Sequence, residues 1–360
     1  MTIDLFTPLK LGSIELPNRI VMAPLTRNRA GDGNVPQAVN AIYYAQRATA
    51  GLIISEASQI APMAQGYPAT PGIHSADQVK GWRRVTDAVH AAGGRMFMQL
   101  WHVGRISHPS LLPDGALPVS PSAIRPAGMA VTYTGMQPFV TPRALDADEI
   151  PGLLEDYRRA AQNAVDAGFD GVEIHAANGY LLDQFLRDGT NQRTDQYGGS
   201  ITNRVRLLLE VVATVCKVWD AGSVGVRISP INPFNDMRDS NPQALFNQVV
   251  ESLDPFGLAY LHVMEVAIGG SEPLPSFDFT ELRHRFRGPY MANGGYDKAR
   301  ANLAIAENRV DCVAFGVPYI ANPDLVERYA KDMPLNIADQ NTFYGGNEQG
   351  YTDYPVLAGC

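Results

Sequence analysis

An imidazole, a carboxamide and a phenol, those of His175, Asn178 and Tyr180, stand within one short stretch of sequence. They are close enough to converge on one small group. Alone, a histidine such as His175 is more often structural than catalytic. Gln99 and Arg227 interrupt the otherwise apolar runs Arg95–Trp101 (RMFMQLW) and Val224–Ser229 (VGVRIS). A polar or charged side chain in such a run is costly unless something pairs with it. Gly294, Gly295 and Gly316 follow two further apolar runs, and backbone N–H groups in turns of this kind can cradle a phosphate. A flat, polar ligand with a phosphate tail would satisfy both observations. No His-Glu-x-x-His or Gly-x-x-x-x-Gly-Lys pattern occurs, so the sequence predicts neither a metal centre nor a P-loop. The three cysteines, Cys216, Cys312 and Cys360, form no Cys-x-x-Cys pair. A disulfide framework is therefore not expected.

The elements that must position these groups repeat along the chain. Short apolar runs of strand length alternate with longer helical segments. The strand candidates are Arg19–Leu25, Gly51–Ala57, Arg95–Trp101, Gly171–Ala176, Val224–Ser229, Tyr260–Met264, Pro289–Ala292 and Asp311–Phe315. Helix candidates include Asp77–Ala92 and Asp148–Ala167, each stopped by glycine, and a helix capped by Ser200. Apolar strands alternating with helices predict a parallel sheet buried on both faces. Eight such units predict closure. The fold class is thus α/β, a single (β/α)8 TIM barrel over residues 1–360. A hairpin in residues 1–17 is expected to cover the bottom, and residues 102–145 form an insertion after strand three. The tail from residue 333 reads as irregular. An open doubly wound sheet is the weaker alternative, because no Gly-x-Gly-x-x-Gly follows the first strand. In a barrel the chemistry sits at the C-terminal strand ends. There stand Thr26, Glu56, Ala57, Gln99, Trp101, His102, His175, Asn178, Tyr180, Arg227, the Gly294-Gly295 pair and Gly316. Glu56 and Glu265 are expected to pair with neighbouring groups.

The chain has 360 residues, is 45% hydrophobic and carries a net charge of −8. An acidic surface repels phosphate backbones, so nucleic acid is not an expected partner. No apolar stretch approaches the roughly 20 residues that span a bilayer. No basic segment followed by an apolar run opens the chain, so no signal peptide is expected. A cytoplasmic monomer or homodimer acting on a small-molecule substrate is the expectation.

The motifs His175-Ala-Ala-Asn-Gly-Tyr-Leu-Leu, Asn191-Gln-Arg-Thr-Asp-Gln-Tyr-Gly-Gly-Ser and Asn203-Arg204 resemble the old yellow enzyme family. So do Ala23-Pro-Leu-Thr-Arg, Gln99-Leu-Trp-His, Ala321-Asn-Pro-Asp-Leu and Gly350-Tyr-Thr-Asp-Tyr-Pro. The resemblance runs nearly end to end. It implies an FMN-dependent ene-reductase that reduces activated alkenes with NAD(P)H as electron donor. In that reading hydride passes from NAD(P)H to flavin N5 and then to the β-carbon of an α,β-unsaturated carbonyl, maleimide or nitroalkene. His175 and Asn178 would bind the carbonyl or nitro oxygen, and Tyr180 would protonate the α-carbon. Thr26 would bond the flavin C4 carbonyl, Gln99 the pyrimidine edge, and Arg227 the N1 and C2 carbonyl region. Pro24, Leu25 and Ala57 would line the ring, and Gly294, Gly295 and Gly316 would hold the phosphate. Tyr67, Trp101 and Tyr351 would shape the substrate pocket. One departure stands out. The family usually has arginine at the position of Val317, where it contacts the phosphate. Its absence implies weaker FMN retention, with Lys298 or Arg300 as possible replacements.

Two other readings compete. A cofactor-free barrel lyase or isomerase would need a Schiff-base lysine or an acid–base pair at the strand ends, and no strand candidate ends in lysine. A non-catalytic flavin-binding barrel would share every flavin contact.

Overall fold

The computed structural model describes residues 3–267 and 276–357. Eight parallel strands close on themselves: β1 (Ile20–Met22), β2 (Leu52–Ile54), β3 (Met96–Trp101), β4 (Gly171–Ala176), β5 (Val224–Ile228), β6 (Tyr260–Met264), β7 (Tyr290–Asn293) and β8 (Cys312–Phe315). Each pairs with its successor, β8 returns to β1, and the β3–β4 pairing completes the ring. All eight strand candidates are present, shortened by a few residues at some ends. The helices that follow the strands are α1 (Ala38–Ala45), α2 (Ala76–Ala91), α3 (Ile150–Asp166), α4 (Ile201–Val215), α5 (Pro242–Leu253), α6 (Phe279–Arg285), α7 (Lys298–Ala306) and α8 (Leu325–Ala330).

Local chemistry explains the helix starts. Ser75 accepts the Gln78 N–H, and the Gln78 side chain reaches back to the Ser75 N–H, a reciprocal cap for α2. Ser200 caps α4 as expected, accepting from the Asn203 N–H.

Side chains alternate across each strand, and the two faces have different work. Met98, Leu100, Val172, Ile174, Val226, Ile228, Leu261 and Val263 face outward into the layer beneath the helices. Inside, the bottom of the barrel is apolar: Val21, Leu52, Phe97, Tyr260, Met291 and Cys312 pack together. One step up each strand the interior turns polar, with Gln99, Glu173, Arg227, His262 and Asn293, all buried. The register sets Glu173 opposite Gln99, and Arg227 opposite both His175 and His262. The antiparallel hairpin Leu9–Leu11 and Ile14–Leu16 plugs the bottom, with Leu11 and Leu16 in the lower core.

The insertion after β3 carries a second hairpin, Met129–Thr132 and Gly135–Pro138. The irregular tail is not loose. Arg27, Arg29 and Arg47 are buried and donate to main-chain carbonyls, among them those of Thr342, Phe343, Asn347, Gly350 and Tyr351. Tyr351 stacks on Tyr43 at 4.0 Å, with the Arg29 guanidinium 4.4 Å from its ring centre. A planar guanidinium suits both the carbonyl forks and the ring faces.

Glu56 lies below this clamp. Its carboxylate accepts from the Arg27 N–H and the Tyr44 hydroxyl, each at 3.3 Å. Burial pushes its pKa from the usual 4.5 up to about 7. The folded state therefore holds this proton more tightly than the unfolded chain does. Its contribution to stability is complete below about pH 4.5 and is lost as the pH rises through about 7. Glu56→Gln removes that dependence, so its Tm should gain on the wild type between about pH 5 and about pH 8. A Tm difference that stays flat over this range would contradict the assignment.

Candidate active site

The loop after β4 builds the centre of the site. Asn178 and Gly179 both adopt left-handed backbone, with φ of +59° and +76°. Asparagine tolerates this region better than most residues, and glycine does so freely. A Cβ at Gly179 would lie 2.6 Å from Met237 and 2.8 Å from the Phe234 carbonyl. The Asn-Gly pair thus lets the loop after β5 approach closely, and Tyr180 emerges against His175.

The hydrogen bonds around His175 and Asn178 fix which of their atoms can donate. His175 Nδ1 accepts the Ala177 N–H at 3.3 Å. The ring proton then belongs on Nε2. Burial, reinforced by the nearby Arg227, lowers the imidazole pKa well below its usual value, so the ring is neutral. Asn178 Oδ1 accepts from Asn232 Nδ2 at 2.9 Å, which leaves its NH2 group as the donating edge. The Asn178 main chain is held by Ser229 Oγ at 2.7 Å and by Asn235 Nδ2 at 2.8 Å.

Tyr180 is buried. Its ring meets His175 and Trp101 edge to face, each at 5.0 Å, and its hydroxyl lies 3.2 Å from that of Tyr67. Burial, with Tyr67 adding, raises its pKa well above the usual phenol value. Tyr67 stacks on Trp101 at 5.8 Å. The two aromatics expected beside the substrate, Tyr67 and Trp101, therefore do meet the trio, in a cluster that includes Ala57, Ala130 and Phe139.

The third expected pocket aromatic, Tyr351, is elsewhere. It is 0% exposed, accepts from Asn40 Nδ2 at 2.8 Å and belongs to the tail clamp. This corrects the sequence reading. The tail residue that stands near Tyr67 and Tyr180 is Tyr344, which is 68% exposed and raises the pKa of both. Its position is set by the Gly345 N–H, which donates to the Arg27 carbonyl.

Beneath the trio lies a buried polar chain. Gln99 Nε2 donates to Glu173 Oε1 at 2.7 Å, and His262 Nδ1 lies 2.7 Å from Glu173 Oε2. Arg227 donates to Asn293 Oδ1 at 2.9 Å, and Asn293 in turn donates to the Ala314 carbonyl. Burial pushes the Glu173 carboxyl upward, but His262, Arg227 and Gln99 together hold it below its ordinary range. Burial also keeps His262 below its usual pKa in spite of Glu173. One anion and one lasting cation thus balance: Glu173 is ionised against Arg227, and His262 is a neutral donor. Glu173 and His262 were not singled out in the sequence, nor were Asn232 and Asn235, and Asn293 was noted only where the seventh strand runs into the glycine pair.

At the other side of the mouth, Gly294 and Gly295 both have positive φ, +116° and +65°. A Cβ on Gly294 would lie 2.5 Å from Val266. Leu25 abuts Gly316, whereas Val317 is 53% exposed. Lys298 pairs with Asp332 at 2.5 Å. Arg300 instead reaches the glycine turn, donating to the Gly295 carbonyl at 3.0 Å over the Tyr296 ring. Glu265 pairs with the hydroxyls of Tyr290 and Tyr296, as expected of a structural acid. Thr26, Pro24 and Leu25 are half-buried after β1. Among the described residues no cluster of His, Cys, Asp or Glu could hold a metal ion, and no helix is long and apolar enough to cross a membrane.

Residues 4–336 match the model of the NADH:flavin oxidoreductase / NADH oxidase family. The chain belongs to that family. It is 46% identical over 362 residues to 12-oxophytodienoate reductase 1 of Oryza sativa subsp. japonica, covering 99% of this chain and 93% of the relative. It superposes on morphinone reductase in complex with tetrahydroNAD with a TM-score of 0.94 and 51% identity, covering 99% and 98% of the two chains. An old yellow enzyme homologue from Zymomonas mobilis gives a TM-score of 0.95 at 44% identity, covering 99% and 100%. The old yellow enzyme resemblance is borne out, and with it the TIM barrel, an FMN-dependent oxidoreductase of the ene-reductase kind, and the use of FMN and a nicotinamide cofactor. The barrel mouth of this NADH:flavin oxidoreductase fits a flavin. Among the described residues Arg227 Nε is buried without a hydrogen-bond partner, a charged donor that an electron-rich ring edge would satisfy. The two left-handed glycines form the kind of turn whose backbone N–H groups can take a phosphate.

Proposed function

We propose that this enzyme reduces the C=C bond of activated alkenes, namely α,β-unsaturated carbonyls, maleimides and nitroalkenes, with NAD(P)H as donor. The observation that carries the reading is the pre-set hydrogen bonding of the trio. The acceptor atoms of His175 and Asn178 are already engaged by the protein, so both residues are left with N–H groups to offer, and the His175 ring packs against Tyr180. Bound FMN would supply the hydride. His175 Nε2–H and Asn178 NH2 bind the carbonyl or nitro oxygen, and their grip strengthens as that oxygen gains negative charge. Tyr180, protonated at neutral pH, gives its proton to the α-carbon. Tyr67, Trp101 and Tyr344 wall the substrate.

Thr26 would hold the flavin C4 carbonyl, and Arg227 the N1 and C2 carbonyl edge. Gln99 would meet the pyrimidine with its carbonyl oxygen and remaining N–H, the other N–H being given to Glu173. Pro24, Leu25 and Ala57 would flank the ring, and Gly294, Gly295 and Gly316 would take the phosphate. We infer that the whole chain acts as one FMN-binding unit, in the cytoplasm, as a monomer or homodimer. The cysteine usage of the sequence supports the location.

The test is isotopic. Reduction of 2-cyclohexenone in D2O should place solvent deuterium at the α-carbon, and deuteride from labelled NADPH should reach the β-carbon. Label at the opposite positions would contradict the assignment. His175→Leu should slow alkene reduction by about 10²–10³-fold, the usual loss for one oxyanion donor. Single-turnover oxidation of the reduced enzyme reads this directly.

Phosphate retention gives a separate prediction. Val317 offers no cation, so Arg300 is the guanidinium nearest the glycine turn. Val317→Arg should slow FMN release by about 10–100-fold, as a charged hydrogen bond of about 1.5–3 kcal/mol implies. Arg300→Ala should speed it. Equal release rates in the wild type and both variants would refute this account of the phosphate end.

A further inference from the structure

We propose that Tyr67 returns a proton to Tyr180 after each turnover, relaying it from water in the groove beside the insertion hairpin. The inference rests on the reading of Tyr180 as the acid.

Tyr180 is almost fully buried and belongs to an apolar cluster with Ala57, Trp101, Val103, Ile106, Ala130 and Phe139. Once it has given up its proton it is a phenolate on a residue only 8% exposed, with little direct contact to bulk water. An unpaired charge in such surroundings is costly, so prompt reprotonation favours turnover. The Tyr67 hydroxyl, at 3.2 Å, lies within hydrogen-bond reach of the Tyr180 hydroxyl. Tyr67 is half-buried and also lines a groove of about 460 Å³. The groove runs between Ala127–Val131 of the insertion and residues 234–236, and Asp236 stands in its wall.

The residues around this pair hold it in register. The Asn235 carboxamide interacts with both phenols. The Asn235 carbonyl accepts from Arg105 Nη2 at 3.1 Å, and Arg105 also bonds the Ile124 carbonyl of the insertion. Arg105 is thus a buried tie between the two loops that form the groove.

The proton balance is simple. The Tyr180 O–H bond breaks as the α-carbon C–H bond forms. The Tyr67 O–H bond then breaks as the Tyr180 O–H bond is restored. Water or a buffer acid in the groove reprotonates Tyr67. One solvent proton is consumed per alkene, and no electron moves in the relay.

The experiment compares Tyr67→Phe and Tyr180→Phe in the FMN-loaded enzyme with 2-cyclohexenone. For Tyr67→Phe the first turnover, whatever the altered pocket wall costs it, serves as the reference, because Tyr180 begins protonated. Steady-state turnover should then fall by about 10²-fold, the scale of one proton-transfer contribution. That slower rate should rise with imidazole concentration, whereas the wild-type rate should not. A role for Tyr67 in packing alone would alter KM or the first turnover and give no imidazole dependence. Wild-type turnover in Tyr67→Phe, or a slowed rate indifferent to imidazole, overturns the relay. Tyr180→Phe should lose the first turnover itself; if it keeps that turnover, the acid assignment fails instead.

Discussion

Replacing Tyr180 by phenylalanine will slow alkene reduction by about 10²–10⁴-fold, the range of one general acid, while NADPH will still reduce the flavin at the wild-type rate. The first half of the cycle needs no proton from this residue. The second half needs one at the α-carbon. The ring makes its edge-to-face contacts with His175 and Trp101 through carbon, and phenylalanine keeps them. Among the described residues the hydroxyl meets the polar neighbours Tyr67 and Asn235. The substitution therefore removes the proton and little else. Loss of both half-reactions in parallel would point to a damaged flavin site rather than a missing acid.

Glu173→Gln will destabilise the fold by about 3–5 kcal/mol, because removing one partner leaves a buried charge without its counter-ion. Arg227 is the charge left behind, and Asn293 alone cannot balance it. Gln99 and His262 lose an ionised acceptor at the same time. The sign with pH follows from the depressed pKa. The wild type keeps this stabilisation above the unfolded value of about 4.5 and loses it as the pH falls through the lower folded value. The variant has nothing to lose there, so the Tm gap should be widest near neutrality and shrink in acid. Urea melts at both extremes check it. A gap below about 1 kcal/mol at pH 7, the range of an exposed ion pair, would show that the charges are not buried together.

The barrel was legible in the sequence because a parallel strand buried on both faces reads as an unbroken apolar run, and helical segments separate most of these runs. Gln99 and Arg227 were legible for the opposite reason: they break such runs. Glu173 breaks one as well, inside Gly171–Ala176, two residues before His175 and on the same face. Its meaning depends on register, since only pairing sets it opposite Gln99 and brings His262 to its other oxygen. Tyr351 was misread because its surroundings come from far along the chain: Tyr43, Arg27 and Arg29 bury it, and no local pattern reports that. Tyr344, a few residues earlier in the same irregular tail, acts electrostatically on both Tyr67 and Tyr180. Lys298 and Arg300 differ by helix phase. Residues two apart point to opposite sides of a helix, so only Arg300 can face the glycine turn while Lys298 meets Asp332. Asn232 and Asn235 lie in a loop without periodicity, and only the close approach allowed by Gly179 shows what they hold.

The most direct measurement is an anaerobic titration of the FMN-loaded protein. NADPH should bleach the flavin absorbance, and one equivalent of 2-cyclohexenone or N-ethylmaleimide should restore it while yielding one equivalent of saturated product. A flavin that is bleached by NADPH but stays reduced in the presence of enones, maleimides and nitroalkenes alike would contradict the account.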